Sequence, residues 1–248
     1  MASRRGPAPR SGFLLVTALA VAAAWLLCSG DSGTGAGTAD GPVLADVLRI
    51  RSPNLTMAAI VVTTLGSTLV MSLLAVLAAG RLWFRHPPVH RVDAVYLVVA
   101  TAGANVVFQT LKLIFGRVRP PVADQLVTET NQSLPSGHAT VSLVVIGALV
   151  VLAWSNRSIA YRVAIVAAAA VWIVAVGASR VYLGVHWLTD VLAGWLVGAT
   201  WLALCTTLRL AWARPVRRCT TTSNGRRRSR APSRRRSAGR WPRRSGAR

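Results

Sequence analysis

The chain has 248 residues, 53% of them hydrophobic, and a formal net charge of +22. So large an apolar fraction, gathered in blocks, excludes an ordinary soluble domain, and helices that share one bilayer bundle count as a single domain. The charge does not make the body of the chain a nucleic-acid binder, because from Arg214 onward arginines are frequent and acidic residues are absent, so much of the excess lies in a tail.

Residues 1–12 form a basic N-terminus with Arg4, Arg5 and Arg10. Residues 13–28 are apolar and lack a good cleavage site, which favours a first membrane span over a cleaved signal peptide. The Gly, Ser, Thr and Asp of residues 29–41 read as a flexible loop. Further spans are expected at 57–79, 93–115, 140–154, 159–177 and 187–212. Each approaches or exceeds the ~17–25 residues that cross a bilayer, with 140–154 borrowing flanking residues. Trp83, Trp154, Trp187 and Trp212 fall at the expected edges, where indoles sit well.

The fold class is therefore all-α, a polytopic membrane helical bundle of about six transmembrane helices over residues 13–212. His86 and His90 are separated by Pro87-Pro88, which breaks any helix between them, so they do not read as a metal pair. Asn105, Gln109 and Thr110 read as bonding neighbouring helices. The tail, residues 213–248, mixes arginine with Ser, Thr, Pro and Gly and reads as disordered. It suits anionic lipid headgroups, and no nucleic-acid motif accompanies it.

Orientation follows from basic residues in short loops. The N-terminus, residues 81–91, residues 155–162 and the tail carry arginine and few acids, and they alternate on one side, which is then cytoplasmic. The other side receives residues 29–56, 116–138 and 180–186, with Asp31, Asp40, Asp46, Asp124 and Glu129 among them.

Ionisable groups beside membrane spans are costly and need a reason. Lys112 and Arg119 stand two helical turns apart, so on a continuous helix they share one face; snorkelling at a helix end is the alternative. Pro135-Ser136-Gly137-His138 precedes a span. Free N–H groups there can meet an anion, Ser136 adds a hydroxyl and Gly137 allows close backbone approach, although a plain N-cap also explains the serine. His186 and Asp190 are i,i+4, with Arg180 upstream. A carboxylate on Nδ1–H would leave Nε2 free as a nucleophile, and a structural His–Asp pair is the alternative.

In order and spacing, Lys-x6-Arg-Pro, Pro-Ser-Gly-His and Ser-Arg-x5-His-x3-Asp resemble the signature of the type 2 phosphatidic acid phosphatase family. That family includes bacterial undecaprenyl-pyrophosphate phosphatases and shares its site with vanadium haloperoxidases. The resemblance covers Lys112 to Asp190 and the span layout. It implies that His186 attacks phosphorus, that Asp190 orients it, and that His138 is the general acid and then the base. Lys112, Arg119, Ser136, Gly137 and Arg180 would bind phosphate. Lys112 is the chain's single lysine, and its place in the motif argues for a compact ammonium there.

Three cations with backbone donors can offset the charge on three phosphoryl oxygens, so no metal and no cofactor is expected. The expected activity is hydrolysis of a membrane lipid phosphate or pyrophosphate on the extracytoplasmic face, through a phosphohistidine. A polyprenyl pyrophosphate or a phosphatidic-acid-like lipid is the substrate class. A phosphotransferase using the same intermediate is the alternative. A transporter would place polar groups at the midplane and show internal repeats, and neither pattern is present.

Overall fold

The structure is a computed structural model that describes residues 9–32, 35–85, 89–155 and 157–225. Among the described residues eight α-helices follow one another: α1 Pro9–Ser32, α2 Asp40–Arg49, α3 Pro53–Leu65, α4 Thr68–Trp83, α5 Val89–Phe115, α6 Gly137–Ala153, α7 Ile159–Tyr182 and α8 Leu188–Gly225. Among the described residues there is no strand. The chain divides into two units, Met1–Ala211 and Trp212–Arg248.

By length and composition α1, α5, α7 and α8 can each cross a membrane, and α3 with α4, bent by 44° at the break between them, pass the same test only as a pair. Helix α6 is apolar but has only 17 residues. Large apolar side chains such as Leu69, Leu77, Val163 and Val171 face outward, as a lipid-facing surface requires. The molecule is a multi-pass membrane protein.

Two expectations change here. The span expected at 57–79 is broken at Gly66-Ser67, where the Ser67 hydroxyl accepts from the Val70 N–H at 3.3 Å and starts a new helix. Hydropathy is continuous across that point, so composition hides the break. The segment expected as a flexible loop at 29–41 instead continues α1 to Ser32, then forms a 3-10 turn over Gly35–Ala39 that leads into α2. Helix α2 is held by apolar contacts of Val43 and Val47 with a cluster of Ala139, Val181 and Val191, and by a buried Asp40.

Helix α6 is the hub, burying Val141, Val144, Val145 and Ala148 against Leu97, Ala100 and Ala104 of α5 and Met71 and Ala75 of α4. Without a hydrophobic drive between helices in lipid, close packing of small residues takes over. On α8, a Cβ at Gly194 would lie 2.7 Å from the Ser136 carbonyl oxygen, and one at Gly198 2.9 Å from that of Thr140. Two glycines one turn apart thus let α8 ride directly on α6. Thr140 Oγ1–H, which lies near the Ser136 and Gly194 carbonyls, donates across the seam to Gly194 at 3.1 Å. Asn105 donates to Ser72 Oγ at 3.3 Å, joining α5 to α4 as read from sequence, whereas Thr110 turns back to Val106 of its own helix.

At the opposite end of the bundle from Ser136 and Asp190, Arg209 of α8 pairs with Asp93 of α5. His90 Nδ1 lies 4.0 Å from Asp93, and His86 lies outside the described residues. So does the expected tail beyond residue 225; residues 213–225 are helical rather than irregular.

Candidate active site

The C-terminal ends of α5 and α7 and the N-terminal ends of α6 and α8 bring all of the singled-out residues to one end of the bundle. Gly116 follows α5 in the left-handed conformation, φ 61°, which suits a residue without Cβ. The chain therefore leaves the helix before Arg119. The expectation that Lys112 and Arg119 share a helical face is corrected: Lys112 is on α5, and Arg119 reaches the site from an extended segment. Along that segment Arg117 and Arg119 turn inward while Val118 is 82% exposed.

Lys112 and Arg119 meet all the same. The Lys112 ammonium donates to Asn131 Oδ1 at 3.2 Å and to the Gln132 carbonyl. Arg119 donates to Asn131 Oδ1, to the Asn131 carbonyl at 2.7 Å and to the Val185 carbonyl. Lys112 is 3% exposed, so it does not snorkel. The loop between α5 and α6 is held over the site by Ser133 N–H donating to the Arg117 carbonyl at 2.8 Å.

Ser136 occupies the N-cap of α6, but its side chain caps nothing. Its hydroxyl is buried and has no hydrogen-bond partner among the described residues, which removes the plain N-cap explanation. Its N–H donates to the Asp190 carbonyl at 3.0 Å, tying α6 to α8. The first α6 amide that finds a carbonyl is Thr140, on Ser136 at 3.0 Å, so the amides before it are available to an acceptor. Gly137 serves packing: a Cβ there would lie 2.7 Å from the Phe108 ring. His138, half-buried, lies within electrostatic reach of Arg180, His186, Lys112 and Arg119.

His186 precedes α8 and is 2% exposed. Arg119 Nη1 lies 3.2 Å from its Nε2, and a guanidinium only donates, so Nε2 is the acceptor and Nδ1 carries the proton. That Nδ1–H points to Asp190 Oδ2 at 3.3 Å. Burial drives the imidazole's pKa down to about 3; the bond and charge of Asp190 oppose this, and Arg119 and Arg180 add to it. The ring is neutral with its Nε2 lone pair turned toward the cations.

Ser133, Arg117, Thr63 and Glu129, none of them among the residues assigned to the site from sequence, complete it. Asp190 also accepts from Ser133 Oγ, from the Trp187 N–H at 2.9 Å and from Arg117 Nη1 at 2.7 Å. Arg180 donates to Thr63 Oγ1 of α3 at 2.8 Å and pairs with Glu129. Glu129 also lies 3.7 Å from Arg119. Burial would raise the Glu129 carboxyl, but Arg180 and Arg119 hold it below its ordinary 4.5. One signal was legible: with seven acidic residues in the chain, an acid on the side expected to carry Arg119 and Arg180 had a high chance of a partner there.

A sequence model of the PAP2 superfamily matches residues 93–214, the stretch that carries every residue of this site but those from α2 and α3. Phosphatidylglycerophosphatase B of Bacillus subtilis is 31% identical over 170 residues, 65% of this chain and 78% of the relative. The chain belongs to the PAP2 superfamily. A second relative, the undecaprenyl-diphosphatase of Sulfolobus acidocaldarius, is 36% identical over 112 residues, 43% of this chain and 50% of that protein. The crystal structure of a transmembrane PAP2-type phosphatidylglycerolphosphate phosphatase from Bacillus subtilis superimposes with a TM-score of 0.63 at 30% identity, covering 81% of this chain and 94% of that one. LpxE of Aquifex aeolicus shares the fold at a TM-score of 0.54 and 22% identity, over 69% of this chain and 94% of that one.

Proposed function

We propose that this PAP2 protein hydrolyses a phosphate or pyrophosphate ester of a membrane lipid on the extracytoplasmic face, without a metal and through a phosphohistidine on His186. The observation that carries this reading is the neutral His186 itself, backed by Asp190 on Nδ1 and facing Arg119 through Nε2.

In the proposed reaction Lys112, Arg119 and Arg180 take the phosphoryl oxygens, with the Ser136 hydroxyl and the Gly137 N–H as neutral donors. The unpartnered Ser136 Oγ and Arg180 Nε supply donors for this. Nε2 attacks phosphorus in line, the P–O bond to the lipid breaks, and His138 delivers a proton to the departing oxygen. The incoming phosphate brings the negative charge that lets His138 hold that proton. Water then attacks the phosphohistidine while His138 takes its proton, and the P–N bond breaks to restore neutral His186. Charge on the equatorial oxygens is offset by fixed cations throughout.

The relatives are named for phosphatidylglycerophosphate and undecaprenyl diphosphate, which supports a lipid monoester or diphosphate here, a polyprenyl pyrophosphate or a phosphatidic-acid-like lipid included. The arginine-bearing short loops at the other end of the bundle, residues 81–91 and 155–162 among them, support the outward-facing site. The test is phosphate release by detergent-purified protein over a panel of lipid phosphates with chelator present. Release is expected, and His186→Ala, inserted normally in the membrane, abolishes it. Loss of activity on chelation would overturn the metal-free reading.

A further inference from the structure

The reaction as proposed uses one oxygen of Asp190; the other is taken by a residue outside the family motif. Arg117 Nη1 donates to Asp190 Oδ1 at 2.7 Å and to Thr189 Oγ1 at 2.8 Å, and its Nη2 donates to Asp40 Oδ2 at 2.7 Å. Asp40, from α2, accepts in turn from the Thr189 N–H at 2.9 Å and the Thr189 hydroxyl at 2.6 Å. The Trp187 ring lies over the guanidinium, 5.6 Å from its centroid. Arg117, Asp40 and Asp190 side chains are 11%, 4% and 0% exposed.

From this we infer that Arg117, anchored by Asp40, is a positioning residue for catalysis: it locks the Asp190 carboxylate by Oδ1 so that Oδ2 faces the His186 Nδ1–H. The inference rests on the proposed role of His186. Ser133 Oγ and the Trp187 N–H already hold Oδ2; with Arg117 on Oδ1 the carboxylate is fixed through both oxygens and presents a fixed lone pair to the imidazole. Arg suits the task because its planar fork spans two carboxylates at once. Burial of Asp190 also demands a cation, since an unpaired buried carboxylate is strongly unfavourable. Arg117 is the guanidinium on Oδ1, while Arg119 and Arg180 point to Nε2 and the phosphoryl side. Placing the anchor on α2 makes the N-terminal part of the chain a support of the site.

The test measures lipid phosphate release and orthovanadate binding by the full-length protein and its variants. Arg117→Met is expected to lower kcat by about 10²-fold, the cost of a small misplacement of a reacting group, with KM unchanged because the phosphate cradle is intact. Arg117→Lys recovers part of the loss. Asp40→Asn lowers kcat less, and the double variant Arg117→Met/Asp40→Asn falls no further than Arg117→Met, because both act through one path. Orthovanadate, which adopts the five-coordinate geometry of phosphoryl transfer, binds more weakly to Arg117→Met, while inorganic phosphate binds as to the wild type.

Near wild-type kcat in Arg117→Met, a change confined to KM, or multiplying losses in the double variant would each overturn the inference. Loss of inorganic phosphate binding in Arg117→Met would also overturn it, as that marks a general structural role. If wild-type protein releases no phosphate from any lipid, the proposed function fails, and the orthovanadate comparison still decides the role of Arg117.

Discussion

Arg119 Nη1 and His186 Nε2 are 3.2 Å apart, so the lone pair proposed to attack phosphorus is held by a cation proposed to bind phosphate. In the proposed reaction, Nε2 reaches phosphorus only once Arg119 has exchanged this contact for a phosphoryl oxygen. Arg119→Ala is expected to lower kcat/KM by roughly 10²–10³-fold, as loss of one charge-stabilising donor does elsewhere. Steady-state phosphate release checks this, and a loss under tenfold would remove Arg119 from the cradle.

Glu129 engages Arg180 and Arg119, the guanidiniums proposed for the phosphoryl oxygens, and thus competes with phosphate for them. Glu129→Gln should tighten competitive inhibition by inorganic phosphate roughly tenfold, the scale of one charge-assisted bond. Because the carboxyl is held below its ordinary 4.5, it stays ionised on mild acidification. Its ion pairs are present above the ordinary carboxylate range and are lost only as pH falls through the lowered value. The wild-type phosphate inhibition constant should therefore show no Glu129 titration in the neutral to weakly acidic range, and unchanged inhibition in Glu129→Gln would dismiss the competition.

His186 predicts the pH dependence of stability. Its ordinary pKa is 6.5 and burial takes it to about 3 in the folded chain. Between those values the unfolded chain binds a proton that the folded one refuses, so stability falls as pH drops through this window and is unaffected by this group above it. Thermal melting in detergent should show a steeper acid-side decline for wild type than for His186→Asn. Equal slopes would mean that His186 titrates normally.

Gly194 sets the distance between Asp190 and Ser136. Gly194→Ala would place a methyl 2.7 Å from the Ser136 carbonyl oxygen, and backbone cannot yield as a side-chain tip does. An overpacking cost of about 1–3 kcal/mol is expected, read as a lower melting temperature, together with loss of activity because the Ser136 N–H to Asp190 bond spans the same seam. A variant that melts and turns over like wild type would show that the helices can part without harm.

Much of this was legible in the amino-acid sequence: apolar blocks with tryptophans at their edges specify membrane helices, and the spacing of Lys112, Arg119, Ser136, His138, Arg180, His186 and Asp190 picks out residues that the fold gathers at one end of the bundle, because both are local patterns of period and chemistry. Sequence could not show the break at Gly66-Ser67, where a hydroxyl outcompetes a helical carbonyl inside unbroken hydropathy. Nor could it show that Arg119 leaves the helix at Gly116. Above all, the partners of the charged groups required the fold. Arg117 meets Asp40 and Asp190 across 77 and 73 residues, and Arg180 meets Glu129 across 51. A buried charge requires a counter-charge, but which residue supplies it depends on helices meeting in space.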